Sequence, residues 1–136
     1  MKPVYNGMTY FTSEIRPSNP FYATVESLAG PGNYMSFGRQ KAIAAQRMGD
    51  ESYTLLFGLP LAEDLDVKRE LVSKPKDLRE WLLREIYHDW SQINTDIVKY
   101  SDAGCGLWPL YGMPKEALTW ETVPGVALIG DAAHLT

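Results

Sequence analysis

The chain has 136 residues, 45% of them hydrophobic, enough to bury one core without a disulfide or structural metal. Its 13 Lys and Arg against 17 Asp and Glu leave a net charge of −4 without a long block of one sign, which argues against nucleic acid as a partner. Cys105 stands alone, so no internal disulfide can form, and with His88 and His134 as the histidines no zinc-type ligand set is present.

The N-terminus MKPVYNGMTYF lacks an apolar run of signal-peptide length, and no stretch approaches the ~20 apolar residues of a membrane span. The expected setting is soluble and cytoplasmic. Val4 to Ile15 reads as a strand bulged at Asn6-Gly7, because aromatics and Thr suit a pleated surface and Gly does not. The segment RPSNPF then forces a loop, since Pro17 and Pro20 remove backbone donors. Val25 to Ala29 is too short to assign.

Ala29-Gly30-Pro31-Gly32-Asn33 is a turn by composition, leading into the extended stretches YMSFG and KAIAAQRM. KAIAAQRM and SYTLLFGL flank Gly49-Asp50-Glu51, the pattern of an antiparallel hairpin, and Tyr53, Leu55, Phe57 and Leu59 share one face of its second strand. From Ser73 onward Leu78, Trp81, Leu82, Ile86 and Trp90 recur at three- and four-residue spacing, which predicts a helix with His88 near its end. A second helix starts near Ser91 and carries Ile93, Ile97 and Tyr100 on one side. Gly104 and Gly106 end the helical part, and Leu107-Trp108-Pro109-Leu110 reads as extended.

The pattern is α+β: an antiparallel or mixed sheet with one or two helices on one face, then extended pieces. The chain closes on GVALIGDAAHLT. Val126 to Ile129 has no polar alternation, the mark of a strand covered on both faces. Gly130 permits a tight turn, and Asp131 would open a helix whose free N–H groups favour an anionic or hydroxyl-rich ligand.

GVALIGDAAHLT resembles the Gly-Asp motif of the flavin-dependent monooxygenases built like para-hydroxybenzoate hydroxylase (class A), a group that includes the tetracycline-inactivating oxygenases. KPVYNGMTYF, AGPGNYMSFGRQKAIAAQR and the WPL of GLWPLYGMP resemble, in order and spacing, the middle segment of the same enzymes. The resemblance implies an FAD enzyme that uses NAD(P)H, with Gly130 and Asp131 touching the ribityl part of FAD. It divides the chain into a substrate-binding part at 1–120 and a return strand with the Gly-Asp motif at 121–136. No GxGxxG and no Asp-Gly motif of the family is found, so the chain reads as a piece of a larger enzyme, inactive by itself.

In such enzymes the middle segment roofs the substrate pocket above the flavin. Candidate wall positions are Met35, Phe37, Ile43, Ala45, Tyr53, Leu55 and Phe57, together with Trp108, Pro109 and Leu110; Gln46 and Arg47 are the polar candidates. Which face of the sheet looks at the flavin is not decided by the pattern. Trp81 and Trp90 read as core, and no residue is assigned a catalytic or metal-binding role. The expected ligand is a small hydrophobic or aromatic molecule, not nucleic acid or membrane. The alternative is a flavin-free module of the same fold that binds a small molecule or works as a cofactor-free cyclase or isomerase. An exposed terminal strand would invite pairing of two copies.

Overall fold

A computed structural model describes residues 2–102 and 104–134. The strands are β1 (Val4–Ile15), β2 (Asn33–Gly38), β3 (Lys41–Arg47), β4 (Tyr53–Pro60) and β5 (Gly106–Gly112). They form one antiparallel sheet in the order β2-β3-β4-β1-β5. The helices are α1 (Tyr22–Ala29), α2 (Leu65–Ser73), α3 (Pro75–Trp81), α4 (Gln92–Tyr100) and α5 (Asp131–His134). The α+β expectation holds.

Alternation along the strands decides which side is covered. On β4, Tyr53, Leu55, Phe57 and Leu59 are buried, and their partners on β1 include Phe11 and Ile15, also buried. Helical residues close over this side: Val25 of α1, Leu78 of α3, and Ile97 and Val98 of α4. Each fully buried Leu, Ile or Phe contributes about 1.5–3 kcal/mol relative to exposure, so this layer dominates stability. β1 bulges where the sequence places Asn6-Gly7: the β5 pairing shifts between Tyr5 and Thr9, and Gly7 takes φ 91°, which suits glycine.

The helical layer holds more pieces than the periodicity indicates. α1 buries only Val25, so it shows no stripe; Asn19 starts it by accepting the Phe21 N–H at 2.8 Å. α2, with the sequence LDVKRELVS, carries its charges in the run Asp66 to Glu70. The stripe from Leu78 to Trp90 is not one α-helix, because α3 passes at Leu82 into a π-helical turn, Leu82–Ile86. That extra residue per turn brings Tyr87 into the core, where its hydroxyl reaches the Ala42 and Gly58 carbonyls at 3.0 and 3.1 Å. Trp81 and Trp90 are half-buried, Trp90 edge-on to Tyr87 at 5.1 Å, and His88 is exposed just after the π turn.

The apolar run Val126–Ile129 departs from expectation. It joins no strand of the sheet, and Ile129 is 81% exposed. With no described strand beside it, its backbone groups have no ladder and its side chains no cover. The following corner matches the sequence reading: Gly130 turns with φ 58°, and α5 begins at Asp131.

Candidate functional site

Cross-strand partners share a face, so the register sorts the candidate residues. Ile43, Ala45, Tyr53, Leu55 and Phe57 all point beneath the helices and are buried. They form the core rather than a pocket wall. Arg47 and Pro109 lie on the same side, both half-buried. Arg47 is held in place: its guanidinium donates to Tyr53 Oη and to Glu26 at 3.1 Å each, and stacks 5.2 Å from the Tyr53 ring. These bonds, the one to Tyr53 first, raise its pKa further, so it stays a cation that clamps α1 to the sheet.

Among the described residues, the helical members of the core lie on the Phe11–Phe57 side, and the remaining candidates lie on the opposite face. One row crosses all five strands: Phe37 sits opposite Ala42, Ala42 opposite Gly58, Gly58 opposite Tyr10, and Tyr10 opposite Trp108. At about 4.8 Å per strand this row is roughly 19 Å long. Its ends are aromatic and exposed, Phe37 at 71% and Trp108 at 64%, and its centre is small. A second row runs Met35, Ala44, Leu56, Thr12, Gly106, and a third runs Asn33, Gln46, Thr54, Glu14. Leu110 shares the Trp108 side of β5 by alternation.

Two glycines shape this surface. A Cβ at Gly58 would stand 2.6 Å from Tyr10 Cε1, so the missing side chain is what lets the Tyr10 ring lie across β4. A Cβ at Gly106 would collide with Thr12 Oγ1 and come within 3.6 Å of Trp108 Nε1. The Thr12 hydroxyl and the Trp108 indole N–H therefore border the same gap. Beside it Thr12, Glu14, Thr54, Gly104 and Gly106 line a shallow depression of about 250 Å³. The face thus combines a flat apolar floor, aromatic ends and a few polar groups, an arrangement that can receive a planar ligand and orient it. Sequence patterning does not mark Tyr10, Thr12, Gly58 or Gly106 as site residues. The signal was available in the register: β1 pairs with β4 and β5 at once, which places Tyr10 between Gly58 and Trp108.

Cys105 is half-buried, and burial pushes its thiol pKa up, away from the nucleophilic thiolate. Among the described residues no group of three His, Cys, Asp or Glu could hold a metal ion, and no helix is long and apolar enough to cross a membrane. Gly130 and Asp131 are exposed at the start of α5.

No family model matches the chain. A curated relative, the monooxygenase asqM of Emericella nidulans, is 26% identical over 166 aligned positions, covering 98% of this chain and 38% of that protein. Among solved structures, Klebsiella pneumoniae HpxO bound to FAD and uric acid matches with a TM-score of 0.65 at 20% identity. That match covers 99% of this chain and 31% of HpxO, and a variant of HpxO with FAD gives the same score. The tetracycline destructase Tet(51) matches at 0.54 and 15% identity, over 98% of this chain and 33% of that one. The chain therefore spans roughly a third of the proteins it resembles. Its sequence is similar to part of a monooxygenase, and its fold matches part of FAD-bound HpxO and of Tet(51).

Proposed function

We propose, for a chain that corresponds to a segment of the FAD-dependent monooxygenases, that it is the substrate-binding portion of such an enzyme. The whole enzyme uses NAD(P)H and hydroxylates an aromatic or polyketide-like small molecule. The observation that carries this reading is the five-strand row from Phe37 to Trp108 on the uncovered face. Planar apolar ligands bind where aromatic surface is already exposed and rigid, and a sheet supplies both. In this reading Met35, Phe37, Leu110 and Trp108 form the wall, while Gln46, Thr12 and Trp108 Nε1 offer orienting hydrogen bonds.

Residues 1–120 make this substrate part, and 121–136 belong to the FAD-binding part. The Asp131 carboxylate, in the first turn of α5, would accept hydrogen bonds from the ribityl hydroxyls of FAD, and the Gly130 turn before it would leave room for them. Bound FAD supplies the oxygen-transfer chemistry. The residues of this chain bind the substrate, orient it and exclude water from its apolar face.

The test is titration of the purified chain with uric acid and with tetracycline, followed by tryptophan fluorescence in wild type, Trp108→Ala and Phe37→Ala. Saturable quenching by at least one probe, weakened in both variants, is expected. If neither probe quenches, or quenching survives both substitutions, the open face is not the substrate wall. A parallel FAD titration with Asp131→Ala as control reads the cofactor contact; for the isolated chain the expected affinity is no tighter than about millimolar, since most of a dinucleotide cradle is missing.

One observation favours a second reading, a flavin-free module that binds a small molecule or works as a cyclase or isomerase. The buried core draws on residues from Thr9 to Ser101, so the sheet and helices α1 to α4 close without the segment after β5. Tight, Asp131-dependent FAD binding would exclude it.

A further inference from the structure

The open face changes character along its strands. The row from Phe37 to Trp108 is aromatic at both ends, whereas the row of Asn33, Gln46, Thr54 and Glu14 is polar throughout. Side chains on one face of a strand recur every second residue, about 6.8 Å, so these two rows lie roughly 14 Å apart. A planar ligand that covers the floor meets apolar surface along one edge and hydrogen-bonding groups along the other.

Glu14 is the charged member of the polar row, and the chain leaves room beside it. The pairing of β1 with β5 ends at Thr12 and Gly106; before that point the chain runs through Gly104, and neither glycine carries a side chain. The depression of about 250 Å³ lies there, with Thr12, Thr54 and Glu14 as its polar rim.

The backbone under Glu14 is pinned from both sides. The Asp102 N–H donates to the Glu14 carbonyl at 2.8 Å, the Asp102 carboxylate accepts the Arg16 N–H at 2.8 Å, and Ser13 Oγ donates to the Asp102 carbonyl at 2.9 Å. The Glu14 side chain thus projects from a fixed strand end, which reduces the ordering cost of binding. Its Oε1 meets Arg16 Nη2, but the Arg16 side chain is 65% exposed, and ion pairs at the surface hold weakly. A carboxylate has about four acceptor positions on two oxygens, so a ligand donor can share it with Arg16.

We infer that Glu14 is a specificity-determining residue of the open face: it selects planar ligands that carry an O–H or N–H donor on the edge over the Gly104–Gly106 depression, against ligands of the same shape with no donor there. This rests on the open-face reading above and adds to it the residue that reads one edge of the ligand. The carboxylate sets the sign, because it accepts hydrogen bonds and cannot donate them, and a charge-assisted bond is roughly twice as strong as a neutral one. The Thr12 and Thr54 hydroxyls both donate and accept, so they do not discriminate in this way.

The experiment is an NMR titration of the 136-residue chain with indole and with 1-methylindole, two flat ligands that differ by one N–H donor. It is followed at the Trp108 indole N–H signal, assigned by its loss in Trp108→Phe. Both ligands should shift that signal saturably in the millimolar range, with indole about fivefold tighter, the gain from one charge-assisted contact at a partly exposed site. Glu14→Met should bring indole to the affinity of 1-methylindole and leave 1-methylindole unchanged, which a merely structural role would not do. Glu14→Gln, which keeps an acceptor without the charge, should retain part of the preference, and it carries the test if Glu14→Met does not fold. Equal or weaker binding of indole in the wild type, a preference that survives Glu14→Met, or an undiminished preference in Glu14→Gln would overturn the inference and leave the open-face reading standing. No shift at Trp108 with either ligand would overturn both.

Discussion

The Tyr10 ring occupies the volume that a side chain at Gly58 would fill, a Cβ there standing 2.6 Å from Tyr10 Cε1. The two residues are register partners on β1 and β4, so the flat centre of the open face depends on one missing methyl group. Gly58→Ala should therefore push the Tyr10 ring off β4 and cost about 1–3 kcal/mol, as overpacking does. Urea unfolding of Gly58→Ala, Tyr10→Ala and the double variant checks this. The double variant should recover most of the Gly58→Ala loss; additive effects would show that the ring does not compete for that space.

Tyr87 should behave as a buried phenol with a structural hydroxyl. Its O–H faces two carbonyls, those of Ala42 and Gly58, and burial raises its pKa above the ordinary tyrosine range. Tyr87→Phe should cost about 1–2 kcal/mol, because the buried carbonyl oxygens lose a donor. The protonated phenol is the form favoured by folding. Its contribution is complete below the unfolded pKa of about 10 and is lost as pH rises from there toward the folded value. Urea unfolding of wild type and Tyr87→Phe at pH 8 and pH 11 reads this directly: the difference between them should shrink at pH 11.

Much of the sheet is legible in the sequence because its rules are local. The Asn6-Gly7 bulge, the hairpin around Gly49-Asp50-Glu51 and the buried alternation from Tyr53 to Leu59 each follow from residues within one strand or turn. What fails is what depends on distant partners. α1 exists although it buries only Val25, because rings from elsewhere hold it: Phe21 packs on Tyr100 at 4.9 Å and Tyr22 on Tyr53 at 5.6 Å. The π turn at Leu82–Ile86 is set by the fit of Tyr87 under β3 and β4, which no periodicity reports. The candidate site was half legible for the same reason. Types and strands pointed to Phe37 and Trp108, but only the pairing register separates them from Phe57 and Leu55 on the covered face.

The apolar tail should make the chain associate. Val126, Leu128 and Ile129 are exposed in one short run, and such patches favour self-contact. Ile129→Asp should leave the unfolding free energy from urea titration within about 0.5 kcal/mol of wild type, since a surface change away from the core seldom does more. Sedimentation velocity at rising concentration should show less association for the variant. A loss of several kcal/mol would instead mean that the run is packed inside the fold.

The open face separates binding from stability, and that separation is measurable. Phe37 and Trp108 are mostly exposed, so Phe37→Ala and Trp108→Ala should each change stability by no more than about 0.5 kcal/mol. Phe57 and Leu55 face the other side of the sheet and are buried, so Phe57→Ala should cost about 3–5 kcal/mol and Leu55→Ala about 2–5 kcal/mol. Urea unfolding of the four variants, set beside the fluorescence titrations, tests the two faces together. Substitutions on the uncovered face should lower ligand affinity while the folded fraction stays constant. If Trp108→Ala destabilises the chain as strongly as Leu55→Ala does, the indole is a packing residue and the aromatic row loses one of its two exposed ends.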